Sequence, residues 1–289
     1  MPLHIPAKPQ IDFLLRTTKP FHHPEAAKDF LRLVLSYGPA YRPCQYGRSE
    51  PAREIFRETH LDSVLDAWLS GYGRTPEALE NLPCSGQLMM RGRGPGKIRY
   101  FIAWRNWTER VLFNVIQLSL SRSFLRRSEE EMSRYVRFCD DLVRLFPPAH
   151  AELYDYVSAI PCTATENMLL PDDLSIRCPA LKWRTYFGRP YVDLLGRETL
   201  LKAPCWKTEE VGDTVVVQLT GTVFEEIPPK LRAEVVEYLE ESVDPEIRAQ
   251  LGRGFLFRPF LASEPYDKRK KLVPVFPVRE ISGENHADS

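Results

Sequence analysis

The sequence predicts an α+β protein, an antiparallel β-sheet built from hairpins and covered by amphipathic helices. Three patterns carry this reading. In residues 97–104, Ile98, Tyr100, Ile102 and Trp104 alternate with Arg99, Phe101 and Ala103, the period of a strand with one buried face. In residues 128–146, Met132, Tyr135, Val136, Cys139, Leu142, Val143 and Phe146 fall on one helical stripe. Residues 204–221 read as a hairpin, with a Val-Gly-Asp-Thr turn before the β-branched run 215–219. The connections between strands are too short for crossover helices, which makes the sheet antiparallel.

Along the chain, residues 1–24 are proline-rich and read as an extended lead-in with a short strand at 11–15, outside the core. Pro24 then opens a helix over 24–36, with Phe30, Leu31, Val34 and Leu35 on its apolar side. A second helix is expected over 51–69 from the spacing of Ala52, Ile55, Phe56, Val64, Leu65 and Trp68, stopped by Gly71 and Gly73. A short strand at 88–90 turns through Arg91-Gly-Arg-Gly-Pro-Gly96 into the strand at 97–104, with the glycines supplying positive φ. A third strand follows at 111–120. The 128–146 helix starts on a capping-box pattern, Ser128 with Glu131, and stops at Pro147-Pro148. A strand near 153–157 comes next, and a helix from Pro228 through 242 buries Leu231, Val235, Tyr238 and Leu239. These elements divide the chain into an extended segment and helices (1–84), an α+β core (85–250) and an extended C-terminal arm (251–289).

The 289 residues are 43% hydrophobic, enough for a core that needs no staples. Lys plus Arg and Asp plus Glu are 39 each, so the net charge argues for neither nucleic acid nor an anionic membrane as partner. Six cysteines form no CxxC pair and no zinc-like spacing with histidine, so no metal or cofactor is expected. With no secretory signal and no long apolar run, the expected location is cytoplasmic.

Local chemistry offers several candidates. Gly92-Arg-Gly-Pro-Gly-Lys97 has the glycines of a phosphate cradle, but Ile98 follows the lysine and a strand follows the loop, so a hairpin turn is the plainer reading. Arg91, Arg93, Lys97, Arg99, Arg105, Arg110, Arg122, Arg126 and Arg127 are opposed between 85 and 127 only by Glu109. They are interleaved with Tyr100, Trp104 and Trp107, a composition suited to single-stranded nucleic acid or to a solvated sheet face. Cys84 and His60 are the one pair that could form a nucleophile and base, with no local signature to support it. No catalytic residue is assigned, and the chain is read as a binding protein and not an enzyme. In the 228–242 helix, Glu234, Glu237, Glu240 and Glu241 concentrate negative charge on a face suited to a basic protein partner.

The segment 178–196 contains Trp183, Tyr186-Phe187-Gly188, and a short stretch ending at Gly196. With the order of elements around it, over about residues 85–221, it resembles immunity proteins of bacterial polymorphic-toxin and type VI secretion systems. The long C-terminal arm and the basic 91–127 region depart from that family's pattern. The motif residues Trp183, Tyr186, Phe187, Gly188 and Gly196 read as structural, as large apolar anchors and turn or cap glycines. The resemblance implies a protein that binds a cognate toxin acting in the cytosol, such as a nuclease, and blocks it by occlusion.

Overall fold

The computed structural model describes residues 9–70, 85–105, 113–155, 181–243 and 245. Its centre is a ten-stranded sheet in which every pairing is antiparallel. The strands are β1 (Gln10–Thr17), β2 (Gln45–Gly47), β3 (Glu54–Ile55), β4 (Ser85–Arg91), β5 (Arg99–Arg105) and β6 (Asn114–Ser121). They continue with β7 (His150–Asp155), β8 (Arg184–Phe187), β9 (Lys207–Val211) and β10 (Thr214–Gln218). Their order across the sheet is β3-β2-β4-β5-β6-β1-β7-β8-β10-β9. The helices are α1 (Pro24–Ser36), α2 (Leu61–Leu69), α3 (Arg122–Leu125), α4 (Glu129–Leu145), α5 (Arg189–Leu195), α6 (Arg197–Leu201) and α7 (Pro229–Glu241).

The two-residue period of the strands sorts the core into two layers. One sheet face carries Phe13 and Leu15 of β1, Tyr100 and Trp104 of β5, Leu118 of β6 and Tyr186 of β8. It packs on Phe30 and Val34 of α1, Trp68 of α2, and Tyr135, Phe138 and Leu142 of α4. The other face, toward β10, carries Phe187, Val215 and Val217 under Tyr191 and Leu195 of α5, Leu200 of α6, and Val235 and Leu239 of α7. Helices on both faces explain why β7, β8 and β10 are buried along their whole length.

The first strand forms where expected, but inside the core and not outside it. β1 pairs with β6 on one side and β7 on the other, at the middle of the sheet, and Ile11, Phe13 and Leu15 are each fully buried. Prolines near the strand suggested a lead-in, yet even the polar Asp12 and Arg16 are buried, at 5% and 1% exposure, on the opposite face. Each of the three apolar side chains stabilises the fold by roughly 1.5–3 kcal/mol through burial.

The helix expected over 51–69 begins only at Leu61. Before it, Glu54–Ile55 forms the edge strand β3, and the Phe56 amide donates to the Cys44 carbonyl at 3.0 Å. Ile55 is 62% exposed, so its helical spacing from Ala52 marked no shared buried face. The 92–98 turn also differs in its reason. There the left-handed residue is Lys97 (φ 47°), and the glycines serve close approach: a Cβ on Gly92 would lie 2.8 Å from the Arg42 carbonyl oxygen.

Other elements stand close to expectation. α1 spans Pro24–Ser36 with Pro24 in its first turn. α4 begins at Ser128, whose Oγ accepts from the Glu131 amide at 3.3 Å, while the Glu131 carboxylate turns instead to Arg134 at 2.9 Å. The β9–β10 turn uses Gly212 at φ +60°. The proposed C-terminal arm and positions 156–157 of the expected strand lie outside the described residues.

Candidate functional site

α7 is set by its apolar stripe. Val235 and Leu239 are fully buried against the α5 and β10 side chains, which leaves the opposite side of the helix to solvent. Glu234, Glu237 and Glu241 are exposed there, and Lys230 lies 3.6 Å from Glu234. Glu240 is 3% exposed and does not belong to that face. It follows Leu239 and sits one helical turn from the half-buried Val236, on the flank that turns inward. The acidic surface therefore consists of three of the four predicted glutamates.

The segment carrying the family resemblance forms the junction of the two core layers. The Trp183 indole donates to the Thr220 carbonyl at 2.9 Å. Tyr186 and Phe187, neighbours in β8, point to opposite faces: Tyr186 meets Phe13 edge-on at 5.8 Å and Phe187 meets Tyr191 at 6.0 Å. Gly188 lies so close to the loop after α4 that a Cβ there would be 1.8 Å from the Pro148 carbonyl oxygen. Gly196, at φ +85°, caps α5 and starts α6.

Two buried polar clusters were not visible in the sequence. Arg184, between Trp183 and Tyr186, is 1% exposed, and each of its guanidinium nitrogens has a partner. Nη2 donates to both Asp140 oxygens (3.0 and 3.1 Å), Nε to the Tyr186 hydroxyl (2.8 Å), and Nη1 to Glu209 (2.6 Å) and Gln218 (3.0 Å). The Tyr186 hydroxyl in turn donates to Asp140 at 2.8 Å. Burial pushes the Asp140 carboxyl up against the opposing pull of Arg184. At Glu209 burial acts the same way but is outweighed by Lys207 and Arg184, which hold the carboxyl below its usual range. The network ties α4 to β8, β9 and β10.

On the other face of the sheet, Arg16 donates to His150 Nδ1 at 3.2 Å and approaches Glu152 at 3.5 Å, with all three side chains buried. Burial, then the positive charges of Arg16 and Lys182, hold His150 well below the usual histidine range, so it is neutral. With Nδ1 accepting, its proton resides on Nε2. Asp12, on the same strand as Arg16, is pushed up to about 6 by burial and by Asp155, against a hydrogen bond with Ser119 and the charge of Arg99.

The basic region divides. Arg91 donates to Gln45 at 2.9 Å, and Arg122 pairs with Asp155 at 2.5 Å and stacks over Phe224. Arg93, Lys97, Arg99, Arg126 and Arg127 are exposed. Tyr100 and Trp104 are 2% and 1% exposed and lie in the core, so neither offers a face for base stacking. Arg110 and Trp107 lie outside the described residues, as does the side chain of Arg105. Of the nucleophile–base pair, His60 sits in a 3-10 turn with Nδ1 2.9 Å from the neighbouring Thr59 hydroxyl, and Cys84 is outside the described residues. Burial pushes the Cys139 thiol well up, away from thiolate chemistry. Among the described residues there is no cluster of three or more His, Cys, Asp or Glu suited to a metal, and no helix long and apolar enough to cross a membrane.

No family model matches this chain, and no curated protein matches it. Among solved structures, the fold is similar to that of the Pseudomonas aeruginosa T6SS protein PA0821. The TM-score is 0.56 at 15% identity, over 91% of this chain and 81% of that one. At that identity the likeness is one of fold.

Proposed function

We propose that this chain is an immunity-type protein of a type VI secretion system, which binds a cognate toxin acting in the cytosol and neutralises it by covering its active site. The observation that carries the reading is the fold shared with a T6SS protein over 91% of the chain. The resemblance of the Trp183 to Gly196 segment to immunity proteins supports it independently.

Occlusion requires a rigid surface and no reaction of its own. The Arg184 network and Tyr186 on the α4 face of the sheet, and Phe187 packed under α5, α6 and α7 on the other, supply that rigidity. The contact is assigned to the exposed Glu234, Glu237 and Glu241 of α7. Paired with a basic cleft such as that of a nuclease, they would speed encounter and fix orientation.

The reading is tested in cells that express the product of the gene next to this one, chosen because it halts their growth. Growth should be restored by this protein and lost again when Glu234, Glu237 and Glu241 are all replaced by Lys. Failure of the unmodified protein to restore growth rejects the immunity reading. Rescue by the triple variant equal to that of the unmodified protein rejects the α7 surface alone.

A further inference from the structure

We propose that the corner of the sheet where the 92–97 turn meets α3 is a docking surface for a carboxylate-rich protein segment, formed by Arg93, Lys97, Arg126 and Arg127. These residues come from two stretches about thirty positions apart in sequence. The Ser121 amide donates to the Gly96 carbonyl at 2.8 Å, and a Cβ on Gly96 would lie 3.3 Å from the Phe124 ring. The turn therefore rests directly on α3, and Arg126 and Arg127 follow that helix at once.

All four side chains are exposed, and none makes an ion pair among the described residues. Elsewhere charges are widely matched: Arg134 with Glu130 and Glu131, Arg144 with Asp141, Arg197 with Glu210. Arg99, on the neighbouring end of β5, adds a fifth positive charge whose field reaches Asp12. In a chain of zero net charge, four unmatched cations on two touching loops form a local positive field.

The chemistry favours carboxylates over nucleic acid. Of the aromatic residues described within this basic stretch, Tyr100, Trp104 and Phe113 are buried and Phe101 and Phe124 are half-buried, with the Phe124 ring covered by Gly96, so none offers bases an open stacking face. Glu129 and Glu130, exposed in the first turn of α4, bound the positive patch next to Arg127 and limit it to the length of a short segment. A short acidic protein segment needs only this corner, where three guanidinium forks and one ammonium can each engage a carboxylate. The surface is distinct from the acidic face of α7 and does not depend on the immunity reading.

The test is fluorescence anisotropy with a labelled oligo-glutamate peptide and, separately, a labelled single-stranded oligonucleotide of the same charge. The full chain should bind the peptide at low salt, no less tightly than the oligonucleotide. Replacing Arg93, Lys97, Arg126 and Arg127 by Glu should weaken peptide binding by about tenfold or more. The same positions changed to Gln, a milder set that keeps the fold should the Glu set lose it, should weaken binding in the same direction. Reversal of Lys28 and Arg32 on α1 should leave it unchanged. No peptide binding, equal loss in the α1 control, retained binding in the corner variants, or tighter binding of the oligonucleotide would each overturn the proposal.

Discussion

Asp140 of α4 and Arg184 of β8 are joined by two hydrogen bonds of 3.0 and 3.1 Å between a helix and a strand 44 residues apart. Arg184 then passes from Asp140 to Tyr186, Glu209 and Gln218, so one side chain holds α4 against three strands.

Replacing Arg184 by Met should destabilise the protein by about 3–5 kcal/mol, because Asp140 keeps a carboxylate of low exposure with its cation gone. Arg184→Lys should restore only a small part of this, since an ammonium cannot span the same partners in a planar fork. Urea denaturation midpoints of the two variants measure the difference. If Arg184→Met unfolds within about 1 kcal/mol of the parent protein, the network is not a structural tie.

Asp12 makes stability depend on pH in an unusual direction. Its folded value of about 6 lies above the ordinary 3.8, so the folded state holds the proton more tightly than the unfolded chain. Between about pH 4 and pH 6 this group's contribution to stability falls as pH rises, and above that window the cost stays constant at about 3 kcal/mol or less. Asp12→Asn removes the titration. The stability difference between Asp12→Asn and the parent should therefore grow in favour of the variant from pH 4 to pH 6.5. A pH-independent difference would contradict the assignment.

The two periodicities were the legible part of the fold. α1 and α4 carry apolar stripes with Pro24 and Ser128 at their starts, and β5 alternates between the buried Tyr100, Ile102 and Trp104 and the less buried Arg99, Phe101 and Ala103. What was hidden depends on partners distant in sequence. Asp12 and Arg16 look solvent-facing in isolation, but in β1 they are covered on the second face of the sheet. Arg184 finds Asp140 and Glu209 only once α4 and β9 are in place. In the candidate surfaces, Glu240 could not be told from Glu241 by charge alone, and Tyr100 and Trp104 among the arginines proved to be the core side of β5.

Gly188 is required by space and not by its backbone angle, since its φ of −72° suits any residue. Gly188→Ala should cost more than about 2 kcal/mol, because its Cβ would meet the Pro148 carbonyl and the backbones of two loops must separate. Gly38, at φ +91° with open space around it, should cost only about 1 kcal/mol on the same change. Thermal melts of the two single variants give the comparison, and a larger loss at Gly38 would refute it.

Ser128→Ala removes the side-chain acceptor of the Glu131 amide and should destabilise α4 by about 1 kcal/mol. Ser128→Asp should retain most of the stability, as the Asp carboxylate caps equally well and favours the helix N-terminus. Equal melting temperatures for the parent and Ser128→Ala would show that the cap contributes nothing here.

The proposed activity is the binding of a cognate toxin. The most direct measurement is co-expression of the tagged chain with the product of the neighbouring gene, followed by size-exclusion chromatography with mass determination. The predicted result is a single complex containing both chains, weakened when Glu234, Glu237 and Glu241 are changed to Lys. Separate elution of the two chains at concentrations well above those in the cell would contradict it.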